Sequence, residues 1–145
     1  MNKFIVGFFM VFFCCTALYS APENWFSDYD AAVKLAAKEK KHLLVLFTGS
    51  DWCPGCIALN KETLSKPEFI EFAKKNLVLV YMDSPRYKAQ SAAEKEAVVK
   101  LYRRLEPGPY IPATVIVASD GRILTRIAGF LPLNEYIKRI EAVLK

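Results

Sequence analysis

Two uninterrupted apolar runs constrain this chain most: "LLVLF", from Leu43 to Phe47, and "LVLVYMD", from Leu77 to Asp83. Neither alternates polar with apolar. A strand with one wet face shows a period of two; a run apolar throughout is a strand covered on both faces, as inside a parallel or mixed sheet. The stretch between them carries helix signals. A helix can start at Cys53 or Pro54 and run through "CIALNKETL". In "SKPEF", Ser65 followed by Glu68 reads as a capping box opening a second short helix, with Pro67 tolerated in its first turn. Two buried strands joined through helix predict a parallel pair with a right-handed crossover.

The flanking segments complete the layers. "ENWFSDYDAAVKLAAKEKK" reads as an amphipathic helix with Tyr29, Ala32, Val33 and Ala36 on one face. Ser27 or Asp28 caps its start, and its terminal lysines suit the negative pole of the helix dipole. "SAAEKEAVVKLYRRL" is a helix with Ala97, Val98, Leu101 and Leu105 on one side. "EPGPYIP" is a loop. "ATVIVAS" and "RILTRIA" flank "SDGR", whose Asp-Gly is a strong hairpin turn signal. "LPLNEYIKRIEAVLK" closes the chain as a helix with Leu133, Tyr136, Ile137, Ile140 and Leu144 inward. The expected fold class is α/β: a central mixed sheet with helices on both faces. The 145 residues suit one domain.

The first twenty residues stand apart. Lys3 is followed by an uncharged apolar stretch from Phe4 to Leu18 and then by small residues, the layout of a secretory signal peptide. Cleavage after Ala17 or Ser20 fits, which divides the chain into a signal over 1–20 and a domain over 21–145. The stretch is shorter than the ~20 residues of a spanning helix, although an uncleaved N-terminal membrane anchor is the rival reading. Export, to the periplasm if the chain is bacterial, changes what the cysteines mean. Of four, Cys14 and Cys15 leave with the signal, and Cys53 and Cys56 remain. A pair so close constrains little of the unfolded chain, so it points to redox chemistry rather than stapling.

The net charge is +5, but the basic residues are dispersed as "KEKK", "AKK" and "YRR" with no stripe of interleaved aromatics. They read as solvated helix faces, and nucleic acid is not an expected partner.

"GSDWCPGC" sits where the first buried strand meets a helix. Disulfide exchange needs a thiolate, and a free cysteine with a pKa of about 8.5 is mostly protonated at neutral pH. Unpaired N–H groups at a helix start favour the charged sulfur. Lowering the pKa to about 7 takes about 2 kcal/mol, at 1.36 kcal/mol per unit. Cys53 is therefore the expected nucleophile. Cys56, one turn on, can attack a mixed disulfide held on Cys53 and free the substrate. Pro54 suits a first helical turn, Gly55 adds little bulk, and Trp52 shields one side. Zinc is disfavoured because a structural site wants four ligands, and the lone histidine, His42, should lie at the other end of the sheet. No metal and no cofactor beyond the Cys53–Cys56 disulfide is expected. Downstream, "YIPAT" sets Pro112 just before a strand, where a cis bond would bring Ile111 beside the sulfurs.

"FTGSDWCPGC" after a buried strand, with "IPAT" before a hairpin and a closing helix, resembles the thioredoxin superfamily, and most of all its exported members with a WCxxC site. The likeness runs from Trp25 to the C-terminus. It implies a thioredoxin-like fold in which Cys53 attacks, Cys56 resolves and Pro112 is a cis-proline. It also implies that Ile111 lends backbone hydrogen bonds to a substrate strand. Isoleucine before that proline looks like the reducing members. In two respects the chain departs from thioredoxin. Phe47 stands where thioredoxin has a buried Asp that helps deprotonate the resolving cysteine. The dipeptide between the cysteines is Pro-Gly, the reverse of thioredoxin's, and lacks the histidine of oxidising and isomerase-type relatives. Ser84 to Leu105 is longer than in thioredoxin.

The expected function is thus an exported thiol-disulfide oxidoreductase, reductase or isomerase rather than oxidase. Its expected partners are proteins bearing disulfides or thiols and a membrane or exported electron donor, and it is expected to act as a monomer. The competing class is a thioredoxin-fold copper chaperone or binding module presenting two soft thiolates.

Overall fold

The computed structural model describes residues 22–144. The proposed signal over 1–20 lies outside them. Five strands form one sheet in the order β1-β3-β2-β4-β5. The two apolar runs become β2 (His42–Thr48) and β3 (Leu77–Asp83), paired in parallel from His42↔Leu77 to Thr48↔Asp83. β4 (Ala113–Val117) runs antiparallel to β2, and β5 (Ile123–Ala128) antiparallel to β4. The sheet is mixed, and β2 lies at its centre.

Side chains along β2 alternate between two cores. Leu43, Val45 and Phe47 join a cluster with Ala32 and Ala36 of α1 (Tyr29–Glu39) and with Leu101 and Leu105. Leu44 and Leu46 join Leu59, Phe69, Tyr136 and Ile140 on the other face. A strand that feeds both cores has no polar position to give, which explains the run without alternation. Helices cover both faces: α1 and α4 (Ala92–Leu105) on one, α2 (Pro54–Leu59), α3 (Pro67–Asn76) and α5 (Leu133–Glu141) on the other. Tyr136 is fully buried, and its hydroxyl is 2.7 Å from Thr114 Oγ1. Burial holds that phenol far above its ordinary pKa, so it stays neutral.

Local details depart from the sequence reading in three places. Trp25–Phe26 is not helical; it forms β1, a two-residue edge strand parallel to β3. Helix α1 begins at Tyr29, and of the two expected caps it is Asp28 that serves, its carboxylate accepting from the amides of Asp30 and Ala31. Ser65 makes no capping box. The residue before α3 is Lys66, with Pro67 opening the helix, while Ser65 ends a π-helical turn over Asn60–Leu64 that continues α2. Among the described residues the capping box belongs to α4. Ser91 Oγ accepts from Glu94 N, and Glu94 reaches back to Ser91 N at 2.7 Å. On α4, Leu101 and Leu105 are buried, Val98 is partly covered, and Ala97 is exposed.

Candidate active site

The site forms where β2 and β3 end. After Thr48 the chain turns sharply: the Gly49 carbonyl accepts from Trp52 N and Cys53 N, at 3.3 and 3.0 Å. That turn delivers Cys53 to the N-cap of α2 in extended conformation, and Pro54 opens the helix. Cys53 and Cys56 are joined in a disulfide. Each sulfur faces an amide. Cys56 N donates to Cys53 Sγ at 3.2 Å, and Gly49 N donates to Cys56 Sγ at 3.4 Å. Both cysteines are almost wholly buried, Cys53 at 6% exposed and Cys56 at 3%.

The loop before β4 meets the pair. The Ile111–Pro112 bond is cis. The Ile111 carbonyl oxygen lies 3.8 Å from Cys53 Sγ. A Cβ built on Gly55 would stand 3.4 Å from Pro112 Cδ, so the glycine packs close against the proline. Gly129 N donates to the Pro112 carbonyl at 2.7 Å, and Tyr102 Oη donates to the Gly108 carbonyl. Arg126 reaches under the loop to the carbonyls of Leu105 and Glu106, which end α4. The structure thus brings Trp52, Cys53, Pro54, Gly55, Cys56, Ile111 and Pro112 to one place. It sets His42 at the opposite end of β2.

Residues outside that set also shape the site. Gly49 accommodates Trp52: a Cβ there would lie 2.6 Å from the indole ring. Asp83 ends β3 in register with Thr48, buried, and takes Ser50 N at 2.9 Å and Ser50 Oγ at 2.5 Å. A buried carboxylate therefore reaches this end of the sheet from the strand beside Phe47. Its sequence signal was an acid closing an otherwise apolar run. Asp51 accepts from three consecutive amides, Arg86, Tyr87 and Lys88, at 2.8, 2.8 and 2.9 Å. Desolvation pushes its carboxyl up, but those three donors overcome this and hold it below the usual carboxylate range. The indole of Trp52 donates to the Ser84 carbonyl at 2.8 Å, and the Arg86 guanidinium sits 4.3 Å over its ring. Among the described residues no group of three or more His, Cys, Asp or Glu side chains could hold a metal ion.

The profile of the family described as "Thioredoxin-like domain" matches residues 29–144. The chain belongs to this thioredoxin-like family. Two Chlamydia pneumoniae proteins are among its relatives. The disulfide bond reductase DsbH is 28% identical over 81% of this chain and 71% of its own length. The thioredoxin-related protein DsbJ is 27% identical over 73% of this chain, which spans only 30% of DsbJ. Among solved structures, a DsbH oxidoreductase matches with a TM-score of 0.75 at 24% identity, over 88% of this chain and 92% of that one. The reduced C-terminal domain of Neisseria meningitidis DsbD matches with a TM-score of 0.57 at 27% identity, over 79% and 92%. The thioredoxin-like fold expected from the sequence is the fold observed, and one of the relatives named above is described as a disulfide bond reductase.

Proposed function

We propose that this protein is an exported thiol-disulfide reductase acting on protein disulfides, with Cys53 as nucleophile and Cys56 as resolving cysteine. The observation that carries the reading is the position of Cys53: it caps α2, takes an amide donor, and lies 3.8 Å from the Ile111 carbonyl. In the reduced enzyme the Cys56 amide favours the Cys53 thiolate over the thiol. That thiolate attacks a substrate disulfide, forming a mixed disulfide and expelling one substrate thiolate. The Cys56 thiolate then attacks Cys53 Sγ, closing the enzyme disulfide and releasing the second substrate thiolate. Two electrons pass from the enzyme dithiol to the substrate, and an external dithiol donor restores the enzyme. Backbone groups of Ile111 align the substrate strand, and Trp52, Pro54, Gly55 and Pro112 line its approach. The disulfide is the redox group, and the reaction asks for no other cofactor.

The reducing direction draws support from the named activity of the DsbH relative and from the Ile-Pro pair at 111–112. Export draws support from the Lys3 and Phe4–Leu18 pattern. No helix among the described residues is long and apolar enough to cross a membrane.

Replacing Cys56 by Ser tests the assignment. The variant is expected to accumulate mixed disulfides between Cys53 and protein substrates, visible on non-reducing gels and dispersed by dithiothreitol, whereas Cys53→Ser traps none. Trapping through Cys56 in the Cys53→Ser variant would reverse the roles, and no trapping in either would end the reading.

A further inference from the structure

The segment from Ser84 to Gln90 has no part in the exchange just described, yet it is tied to the redox motif at several points. Asp51 binds the amides of Arg86, Tyr87 and Lys88; Trp52 Nε1 binds the Ser84 carbonyl; and Arg86 stacks on the Trp52 ring. At its far end Gln90 Nε2 donates to the Asp83 carbonyl at 2.8 Å. A loop with no strand or helix of its own is thus latched to residues 51 and 52, immediately before the nucleophile. The latch has an electrostatic side. Segments 49–56 and 107–112 meet at the disulfide, and segment 83–90 is tied to residues 50–52 beside it. Together they carry two cations, Arg86 and Lys88, and two acids, Asp51 and Asp83, the second buried against Ser50. Asp51 spends its oxygens on backbone amides. Arg86 and Tyr87 are exposed, Tyr87 at 77%.

We propose that this latched loop is a specificity wall: Asp51 is a positioning residue, and Arg86 and Tyr87 select protein substrates with acidic residues flanking the reactive disulfide. The inference rests on the oxidoreductase reading above. Stacked on Trp52, the residue before the nucleophile, the Arg86 guanidinium keeps N–H edges for a carboxylate. Tyr87 adds an aromatic surface for the adjoining chain. Because the loop is fixed before a substrate arrives, little ordering cost falls on the wall.

The test uses the full-length protein and two synthetic peptides with the same intramolecular disulfide, one flanked by Asp and Glu, the other by Lys and Arg. Exposed charge pairs contribute about 0.2–1 kcal/mol each, so the acidic peptide is expected to show a kcat/KM about three- to fivefold higher, carried by KM. The preference should shrink at 1 M salt, where the Debye length falls to about 3 Å. Arg86→Gln should bring the acidic-to-basic ratio close to one, and Arg86→Lys should restore part of it. Asp51→Ala, with the side chains of Arg86 and Tyr87 intact but the latch gone, should also lose the preference through KM. Equal kcat/KM for both peptides in the wild type would overturn the wall and leave the oxidoreductase reading standing. So would an Asp51→Ala variant that slows both peptides equally, or whose loss lies in kcat. Failure to reduce either peptide, or insulin as a third substrate, would instead remove the oxidoreductase reading and the wall with it.

Discussion

At the scale of single residues, the site depends on Gly49 as much as on the cysteines. It has three roles: its carbonyl closes the turn before Cys53, its amide faces Cys56 Sγ, and its missing side chain leaves room for the Trp52 indole. Gly49→Ala forces a contact of 2.6 Å with a ring held by Ser84 and Arg86, so the indole must shift. We expect the variant to lose the Trp52–Ser84 hydrogen bond, seen as a red shift in tryptophan emission, and to lose activity severalfold. An unchanged emission spectrum would contradict this account of the glycine. The residues of the motif itself were legible because Cys-Pro-Gly-Cys is local: a cap, a first-turn proline and a second sulfur one turn on. Gly49 was not, because what it accommodates is a neighbour's rotamer. Asp51 was not, because its three partners lie 35 to 37 positions away, and sequence spacing carries no information at that range.

At the scale of elements, α4 offers the clearest check on how ends are made. Ser91 and Glu94 satisfy each other's amides reciprocally. Ser91→Ala is expected to cost about 1 kcal/mol, read from the urea midpoint. The pH dependence has a definite sign. Hydrogen bonds from the Ser91 hydroxyl and then its amide hold the Glu94 carboxyl below the usual range. A folded pKa below the unfolded one stabilises above the unfolded value, and that contribution fades as pH falls through the folded one. The stability gap between wild type and Glu94→Gln should therefore be present at pH 7 and close in acid; a gap independent of pH would refute the assignment. Strands β2 and β3 were readable to within a residue because long apolar runs leave no alternative to burial on both faces. β1 was hidden because two residues, Trp25 and Phe26, sit before an amphipathic run and gain strand geometry only from β3. The Ser65 and Glu68 spacing misled because the chain continues α2 as a π-turn through that point, so Ser65 ends one helix instead of starting the next.

At the scale of the whole molecule, the three inner strands β2, β3 and β4 each feed both cores. Phe47 packs edge-on against Tyr102 at 5.4 Å on one face, while Leu44 is fully buried on the other. Phe47→Ala is expected to cost about 3–5 kcal/mol and Leu44→Ala about 2–5. Because β2 belongs to both clusters, each variant should unfold in one transition, with fluorescence and circular dichroism curves coinciding. Separate midpoints would show the faces to be independent units. The same continuity reaches the proline loop. Arg126, on the outermost strand, grips the last carbonyls of α4, Tyr102 holds Gly108 from within, and Gly129 anchors Pro112. The arch that carries Ile111 is thereby braced from three directions by residues outside the redox motif. Any visiting polypeptide that docks there meets a mould already cast, and the work of conforming falls to the guest.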